Sequence, residues 1–423
     1  MAKDRVLLLA PTTAYQTADF RRAAEAMGVE VTLGTDRCHV LAEAWPEGAL
    51  ALDFRDPPGA AAQIADADGA TQIAGIIATD EKTALIGALA AELLGLPFNP
   101  VEATRATGDK LRLRQRLADA GVAQPAFRVV PLDSDPMVVA RELRFPVVIK
   151  PRHLSTSRGV MRADDEHELC DRFTRLARLL ADPELIARDP EAARSVLIEE
   201  FVAGPEVAFE GLLRGGRLQA LALFDKPDPL DGPFFAETIY VTPSSLPAAT
   251  QQAIEARVAE AAVTIGLREG PIHAELRLGG RHLASRIGPR GPIVIEVAAR
   301  SIGGLCGRAL RFGAGISLEE LLISHALRRD LSCARTAEAT GVLMLPVPRA
   351  GVLRAIHGID DAAGVPGVRE VTITARLGED VMPLPEGNKY LGFVFAAGDH
   401  PESVVTALRH AGLALRFIIA PLL

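Results

Sequence analysis

Short apolar runs alternate with amphipathic segments through the first part of the chain. Residues 5–10 (RVLLLA) and 73–78 (IAGIIA) have the pattern of buried strands, whereas residues 15–27 and 81–94 have the apolar spacing of helices. This alternation is typical of strand–helix–strand units in an open parallel sheet. The first strand runs into LLLAPTTA, which lacks the GxGxxG turn of dinucleotide-binding domains. We therefore expect an α/β lobe that is structural or faces a substrate.

The pattern changes after this lobe. Residues 99–121 are predicted to form one helix, with Lys110 near its start and Gly121 as its stop signal. Residues 125–180 mix apolar strands with a helical segment, which predicts a small α+β lobe. The polar segment 182–194 contains two prolines and has the composition of a hinge or an insertion.

Strands dominate the remainder of the chain. Residues 195–202 (SVLIEEFV) form a predicted buried strand, and two further strands follow it. Residues 317–328 have the spacing of an amphipathic helix. Short strands with turn signals begin at residue 341, and a helix over 401–412 precedes a last strand. The pattern predicts an α+β accessory domain with a mainly structural role.

The segment 145–161 (FPVVIKPRHLSTSRGVM) contains the first candidate chemistry. An apolar strand ends on Lys150, a loop of small, polar and basic residues follows, and a second strand opens near residue 160. A strand holds one ammonium group at a fixed depth, and a flexible loop allows backbone N–H groups to surround an anion, which suits a nucleotide triphosphate. An ordinary hairpin with a solvated polar loop is the alternative. The loop residues concerned are Ser155, Thr156, Ser157 and Gly159.

Acidic residues follow the strand over 195–202. The backbone from Glu200 to Val202 offers a donor and an acceptor at the spacing that the edge of an adenine ring needs. Glu206, which follows in the run AGPE, would then bind the ribose hydroxyls. The alternative is that these are edge acids at a hairpin.

Two glutamates lie within Val- and Ile-rich strands further along the chain. Glu275 lies in the middle of PIHAELRL, and Glu296 lies near the end of PIVIEV. A buried carboxylate is costly unless a cation neutralises it, and two carboxylates on adjacent antiparallel strands would form an oxygen-rich Mg²⁺ site. The alternative is a structural ion pair with an arginine such as Arg277 or Arg300. The turn over 301–304 follows at once and offers N–H donors to an anion, which favours the metal site.

Composition and charge exclude some classes of partner. The 423 residues allow roughly two to four domains, and a net charge of −8 argues against nucleic acid or an anionic membrane as partner. No apolar stretch is long enough for a membrane span or a secretory signal. The cysteines lie far apart with no CxxC pair, so neither a zinc site nor a disulfide framework is indicated, and a reducing cytoplasm is expected. They are Cys38, Cys170, Cys306 and Cys333.

Taken in order, these features resemble the ATP-grasp superfamily. The resemblance rests on Lys110, on FPVVIKP with its polar loop, on IEEFVAGPE, and on the pair Glu275 and Glu296. Within that superfamily the chain is most similar to the L-amino acid ligase branch, through FAETIYVTPSSLP, EVAARSIGG and the C-terminal region. The resemblance implies an α/β and α+β multidomain protein with the ATP-grasp fold. The implied domains are a Rossmann-like preATP-grasp domain (1–100), an ATP-grasp domain (101–330, with 135–203 as a mobile ATP-covering lobe) and a C-terminal α+β domain (335–423).

The resemblance also implies a role for each candidate residue. Lys110 and Lys150 would contact the α and β phosphates, with Lys150 also near the adenine. Glu275 and Glu296 would bind the metal, and Arg300 would bind the γ-phosphoryl group and the acyl phosphate. Many relatives have an asparagine where this chain has Ala298, so one or two metals remain possible. The other implied contacts are the phosphate-covering loop Ser155, Thr156, Ser157 and Gly159; Glu199, Glu200 and Val202 at the adenine; Glu206 at the ribose; and Glu237, Tyr240, Gly303 and Gly304 at the substrate.

The activity implied by the resemblance is ATP-dependent joining of a carboxylate, expected to be an amino acid, to an amine. The reaction would pass through an acyl phosphate, would release ADP and phosphate, and would need ATP with Mg²⁺ or Mn²⁺. The loop over 155–159 should order only over bound nucleotide. Small molecules are the expected partners, and a homodimer is possible by analogy with the superfamily. A biotin-carboxylase-like enzyme, a purine-pathway ligase and a non-catalytic ATP-binding module remain alternatives.

Overall fold

The structure is a computed structural model that describes residues 4–36, 48–279 and 291–422. Cys38 therefore lies outside the described residues. Within them, no helix combines the length and the apolarity that crossing a bilayer requires.

The N-terminal region is a parallel sheet with helices around it, as the alternating pattern predicted. The strand order is β3-β2-β1-β4, and every pairing is parallel. Asp80 caps the third helix through a capping box with Thr83, which fixes Glu81 in the first turn. The elements are β1 (Arg5–Leu9), α1 (Thr17–Met27), β2 (Glu30–Thr35), β3 (Ala49–Ala51), α2 (Pro57–Thr71), β4 (Gly75–Ala78) and α3 (Glu81–Leu94).

The prediction of a single helix over 99–121 is wrong. The segment forms two helices, α4 (Val101–Gly108) and α5 (Lys110–Asp119). Asp109 has an extended backbone between them, and its carboxylate accepts a hydrogen bond from the N–H of Leu111 at 2.9 Å. This N-cap begins a new helix, so that Lys110 becomes the first residue of α5.

A small α+β lobe follows, built on an antiparallel sheet with the order β5-β8-β6-β7. Its core packs α7 against the strands through Leu169, Phe173 and Leu176, which are spaced for one face of a helix. The predicted hinge over 182–194 contains a short helix and a 3₁₀ turn. The elements are β5 (Phe127–Pro131), α6 (Pro136–Ala140), β6 (Val147–Pro151), β7 (Met161–Ala163), α7 (Glu166–Leu180), α8 (Pro183–Arg188) and β8 (Ser195–Glu200).

An eight-stranded sheet forms the centre of the molecule, in the order β13-β12-β9-β10-β11-β16-β20-β18. Its first five strands come from the central part of the chain. They and the neighbouring elements are β9 (Glu206–Arg214), β10 (Arg217–Asp225), β11 (Ile239–Thr242), α9 (Ala248–Ile265), β12 (Gly270–Arg277), β13 (Ile293–Ala298), β14 (Arg311–Phe312), β15 (Ile316–Ser317) and α10 (Leu318–Ala326).

The C-terminal region continues this sheet. Ile239 to Thr242 of β11 pair with Thr340 to Leu343 of the first C-terminal strand, so one hydrogen-bonded sheet joins the two regions. A separate three-stranded sheet, β19-β17-β21, completes the region. Its elements are β16 (Ala339–Pro346), β17 (Gly351–His357), α11 (Ile359–Ala363), β18 (Val368–Ile373), β19 (Asp380–Val381), β20 (Tyr390–Gly398), α12 (Pro401–Ala414) and β21 (Arg416–Ala420).

Candidate active site

A cleft of about 710 Å³ lies between the sheet of the small lobe and the edge of the large sheet. Most of the residues singled out in the sequence line it, although they come from six separate segments of the chain. These lining residues are Lys110, Lys150, Ser155, Ser157, Glu199, Glu200, Val202, Glu206, Glu237, Glu275 and Glu296.

Glu275 and Glu296 face each other across β12 and β13. They are direct partners in the antiparallel register, and a shift in the pairing follows immediately after Glu275. Paired positions of an antiparallel ladder project to the same face, so both carboxylates point into the cleft. Burial would raise the pKa of Glu275, but the nearby Lys226 ammonium outweighs burial and holds this pKa well below its usual range. The carboxylate of Glu275 is therefore ionised and can bind a cation.

Lys110 approaches the cleft from the first turn of α5. Its ammonium donates a hydrogen bond to the carbonyl of Leu154 at 2.8 Å and lies 3.7 Å from Glu296 Oε1. Its backbone N–H donates to the carbonyl of Arg152 at 3.1 Å, and the side chain of Arg152 pairs with Asp109 at 2.6 Å. The start of α5 is thus tied to the segment that follows Lys150.

Lys150 lies in a buried group of three charges. Its Nζ is 2.7 Å from Glu199 Oε2, and Arg114 Nε donates to Glu199 Oε1 at 2.7 Å. Burial is the main cause that lowers the pKa of Lys150 to about 8. Burial would raise the pKa of Glu199, but Arg114 and Lys150 outweigh it and bring this pKa to about 2. The side chain of Glu199 is therefore an ion-pair partner within the cleft wall.

The segment after β8 has part of its backbone already hydrogen-bonded. The N–H of Glu200 donates to the carbonyl of Ala126 at 2.8 Å, and the carbonyl of Val202 accepts from Arg277 Nη1 at 2.8 Å. The N–H of Phe201 donates to the carbonyl of Pro146 at 3.1 Å. In the described part of the chain, the carbonyl of Phe201 and the N–H of Val202 have no such partner.

Lys226 is a site residue that the sequence reasoning missed. Its buried ammonium donates to one oxygen of each of three glutamates, Glu206 and Glu237 at 2.7 Å and Glu275 at 2.8 Å. A signal for it was present, because Lys226 ends an apolar strand in FDKP much as Lys150 does in VIKP. Tyr240 also belongs to this group, since its hydroxyl donates to Glu237 at 2.6 Å.

Neither arginine considered as a structural partner pairs with Glu275. Arg277 Nε donates to Glu206 at 2.9 Å, and Arg300 Nη2 lies 2.7 Å from Oε1 of Glu81. Glu81 comes from the N-terminal region and was also missed, because nothing in its local sequence indicates a long-range partner. The prediction that Glu206 is simply available to a ribose is incomplete, since Lys226 and Arg277 already contact it.

Arg300, Gly303 and Gly304 follow β13 and are not among the residues that line the cleft. A Cβ atom at Gly303 would meet no atom within 4 Å, whereas one at Gly304 would lie 2.9 Å from the ring of Phe393. Gly304 also has a φ of 63°, which a side chain disfavours. Open space is therefore present beside Gly303, whereas the ring of Phe393 fills the space beside Gly304.

The loop over 155–159 contacts the C-terminal region. The N–H of Gly159 donates to the carbonyl of Pro385 at 2.8 Å, and Arg158 Nε donates to the carbonyl of Glu386 at 2.9 Å. Arg175 of α7 makes two hydrogen bonds with the Glu386 carboxylate, at 2.6 and 2.8 Å. The C-terminal region, predicted to be mainly structural, thus holds the candidate phosphate loop.

Thr156 and Gly159 are not among the residues that line the nucleotide cleft. Thr156 lines an adjoining cavity of about 1010 Å³ together with Phe234 and Arg175. Thr156 and Ser157 have φ values of 57° and 56°, so the chain turns sharply here. The sequence predicts that the backbone N–H groups of this loop surround an anion, and for Thr156 this stays a prediction.

Comparisons with known proteins agree with this arrangement. The ATP-grasp N-terminal domain family matches residues 21–98, the ATP-grasp domain family matches residues 143–309, and L-amino acid ligase C-terminal domain 2 matches residues 343–420. The crystal structure of an L-amino acid ligase from Bacillus licheniformis superposes with a TM-score of 0.84 at 25% identity, covering 99% of this chain and 100% of that one.

Two curated relatives are similar over shorter stretches. A D-alanine–D-alanine ligase from Aromatoleum aromaticum is 30% identical over 50% of this chain and 67% of its own length. Alanine–anticapsin ligase from Bacillus subtilis is 26% identical over 56% of this chain, which spans 50% of that relative. On this similarity and on the fold, the chain belongs to the ATP-grasp superfamily and carries an L-amino acid ligase C-terminal domain.

Proposed function

We propose that this protein is an ATP-dependent ligase that joins a carboxylate to an amine and releases ADP and phosphate. The observation that carries the proposal is the convergence of Glu275, Glu296, Lys110 and Lys150 on one cleft. Two carboxylates and two ammonium groups in a partly closed space suit a metal-bound triphosphate. The similarity to peptide-forming ligases favours amino acids as substrates.

The adenine would bind between the small lobe and the large sheet. The carbonyl of Phe201 can accept a hydrogen bond from the exocyclic amine, and the N–H of Val202 can donate to a ring nitrogen. Glu206 would bind the ribose through lone pairs that its two oxygens keep beside their hydrogen bonds from Lys226 and Arg277. Glu200 lies beside this segment, and Glu199 acts through Lys150.

A divalent cation, Mg²⁺ or Mn²⁺, fits the pair Glu275 and Glu296. Carboxylate oxygens are the ligands that such cations prefer, and the two side chains face each other at the cleft wall. Oxygens of Glu206, Glu237 and Glu275 also lie within 4.8 Å of one another, but the Lys226 ammonium lies among them. The Lys226 ammonium therefore supplies the positive charge among these three carboxylates, and we place the divalent cation at Glu275 and Glu296. When bound, the metal would neutralise charge on the phosphates.

The reaction follows from the positions of these side chains. An oxygen of the substrate carboxylate attacks the γ-phosphorus, the bond to the β-phosphate oxygen breaks, and ADP leaves. Lys110, Lys150 and Arg300 stabilise the charge on the transferred group without a covalent enzyme intermediate. The amine then attacks the carbonyl carbon, loses a proton and displaces phosphate. Glu237 and Tyr240 would bind the amino group of the first substrate.

A screen of phosphate and ADP release with pairs of amino acids tests this proposal. Wild-type enzyme should release ADP fastest when a suitable carboxylate and amine are both present, and Glu296→Ala should abolish that amine-dependent release. Bicarbonate-dependent release without amino acids would favour a carboxylase-like or purine-pathway reaction. Nucleotide binding with no turnover across the panel would favour a non-catalytic module.

The cellular compartment and the oligomeric state are further parts of this proposal. We propose a cytoplasmic protein, because its reaction consumes ATP. A homodimer stays a prediction, and sedimentation of the purified protein would test it.

A further inference from the structure

Arg114 contacts several elements of the cleft, although the proposed reaction gives it no role. It lies one turn after Lys110 in α5, and only 1% of it is exposed. Its guanidinium donates to both oxygens of Glu199, at 2.7 and 3.2 Å. It also donates to the carbonyls of Val294 and Ile295, at 3.4 and 2.6 Å, immediately before Glu296.

These contacts join the four segments that would hold the nucleotide. Arg114 shares a helix with Lys110, and Glu199 lies on β8 just before the adenine-binding segment. Glu199 in turn contacts Lys150 on β6 at 2.7 Å. The carbonyls of β13 that accept from Arg114 belong to the strand of Glu296. One buried side chain therefore fixes the mutual positions of the predicted phosphate, adenine and metal contacts.

The charges in this group do not balance. Glu199 supplies one negative charge to two buried cations, Arg114 and Lys150, and the ammonium of Lys110 is the other charged group that faces Lys150. Buried cations are costly unless each has a partner. Arg114, Glu199 and Lys150 together thus carry one net positive charge, which an anionic ligand can satisfy, whereas Lys110 has Glu296 at 3.7 Å.

We propose that Arg114 is a positioning residue that shares the negative charge of the Glu199 carboxylate with Lys150 and so leaves the Lys150 ammonium available for nucleotide phosphates. Without Arg114, both oxygens of Glu199 would turn toward Lys150 and neutralise it. This inference rests on the proposed function of the cleft as an ATP site. It assigns Arg114 no contact with the nucleotide.

The pH dependence of nucleotide binding separates this role from a merely structural one. Lys150, whose pKa is lowered to about 8, is charged below that pH and loses its charge as pH rises. Arg114 and Lys110 both contribute to the lowering, whereas Glu199 opposes it. Removal of Arg114 should therefore raise the pKa of Lys150 and move the alkaline loss of affinity to higher pH.

The experiment measures the dissociation constant of ADP with Mg²⁺ by calorimetry, from about pH 7 to about pH 10. The variants are Arg114→Met, Arg114→Lys, and Arg112→Met as a control from the exposed face of the same helix. We expect Arg114→Met to bind about tenfold more weakly at pH 7 and to lose affinity at a pH about one unit higher. Arg114→Lys should keep the wild-type pH profile, as should Arg112→Met.

Each outcome decides between the two proposals. Weaker binding with an unmoved alkaline limb would show that Arg114 only holds the strands, and unchanged binding would also overturn the inference. Failure of wild-type protein to bind the nucleotide at any pH would instead overturn the ATP site itself. If Arg114→Met does not fold, Arg114→Gln tests the same point, because its amide can still donate to a carbonyl of β13.

Discussion

Arg300 Nη2 lies 2.7 Å from Oε1 of Glu81, so the N-terminal sheet region contributes directly to the candidate active site. Both side chains are largely buried. Burial would lower the pKa of Arg300, but the Glu81 carboxylate outweighs it and raises this pKa above its ordinary value. Burial would raise the pKa of Glu81, and Arg300 in turn holds that pKa below its usual range. The guanidinium is thereby oriented, and its Nη1 donates to the carbonyl of Ser301 at 2.9 Å.

Replacing Arg300 should separate catalysis from nucleotide binding. Arg300→Met is expected to lower turnover by about 10²- to 10³-fold while Mg²⁺-ADP affinity stays near wild type, because we propose that the guanidinium acts on the transferred phosphoryl group. Glu81→Gln should lower turnover by about tenfold, since Arg300 loses its orienting charge. Glu92→Gln, from the exposed face of the same helix, is the control. Wild-type turnover in Arg300→Met would refute the role.

Removing Lys226 should damage both stability and activity. Lys226→Met leaves three glutamates crowded without their shared cation, which should cost about 3 to 5 kcal/mol in the free energy of unfolding and abolish turnover. Lys389→Met removes an exposed lysine paired with Glu379 at 2.6 Å and serves as the control. Denaturant titration and ADP release measure the two effects. Equal stability of the two variants would contradict the contribution assigned to Lys226.

The C-terminal contact with the phosphate loop should control water access. Glu386→Ala removes both hydrogen bonds to Arg175, so the loop over 155–159 should open more often and expose the acyl phosphate to water. We expect ADP release in the absence of amine to rise about fivefold, while the yield of ligated product per ATP falls. The control is Glu379→Ala, at an exposed ion pair of the same region. An unchanged product yield would show that the contact has no such role.

The two adjacent glycines should respond differently to substitution. Gly304→Ala places a methyl group against the Phe393 ring in a left-handed backbone conformation, and it should cost at least about 1 kcal/mol in the free energy of unfolding. Gly303→Ala projects into open space and should leave stability near wild type while raising the KM of the larger substrates. Thermal unfolding and a substrate panel provide the measurements. The reverse order of stabilities would contradict the packing described.

The buried ion pair of Glu199 predicts how stability depends on acid. The pKa of Glu199 is lowered from 4.5 to about 2 in the folded protein, so its contribution is complete above pH 4.5 and is lost as pH falls toward about 2. The difference in unfolding temperature between wild type and Glu199→Gln should therefore be largest near neutral pH and shrink below pH 4.5. A constant difference down to about pH 3 would contradict the lowered pKa.

Much of the fold could be predicted from the sequence because local periodicity depends on near neighbours. The strands and helices of the N-terminal sheet, the helix of the small lobe and the strand ending in Lys150 all follow from spacings of two or 3.6 residues. Glu275 and Glu296 stood out because ionisable residues are rare within apolar strands. The order of these motifs was enough to predict the ATP-grasp fold.

The tertiary structure alone decided which charged side chains meet. Lys226 with its three glutamates, Arg114 with Glu199, and Glu81 with Arg300 join residues far apart in the chain, and the energy of an ion pair depends on distance in space rather than on sequence separation. The pairing of β11 with β16 in one sheet could not be predicted from the local sequence either, because the pattern of a strand does not specify its partner. The sequence thus determined which residues could carry the chemistry, and the packing of distant segments determined how they are held.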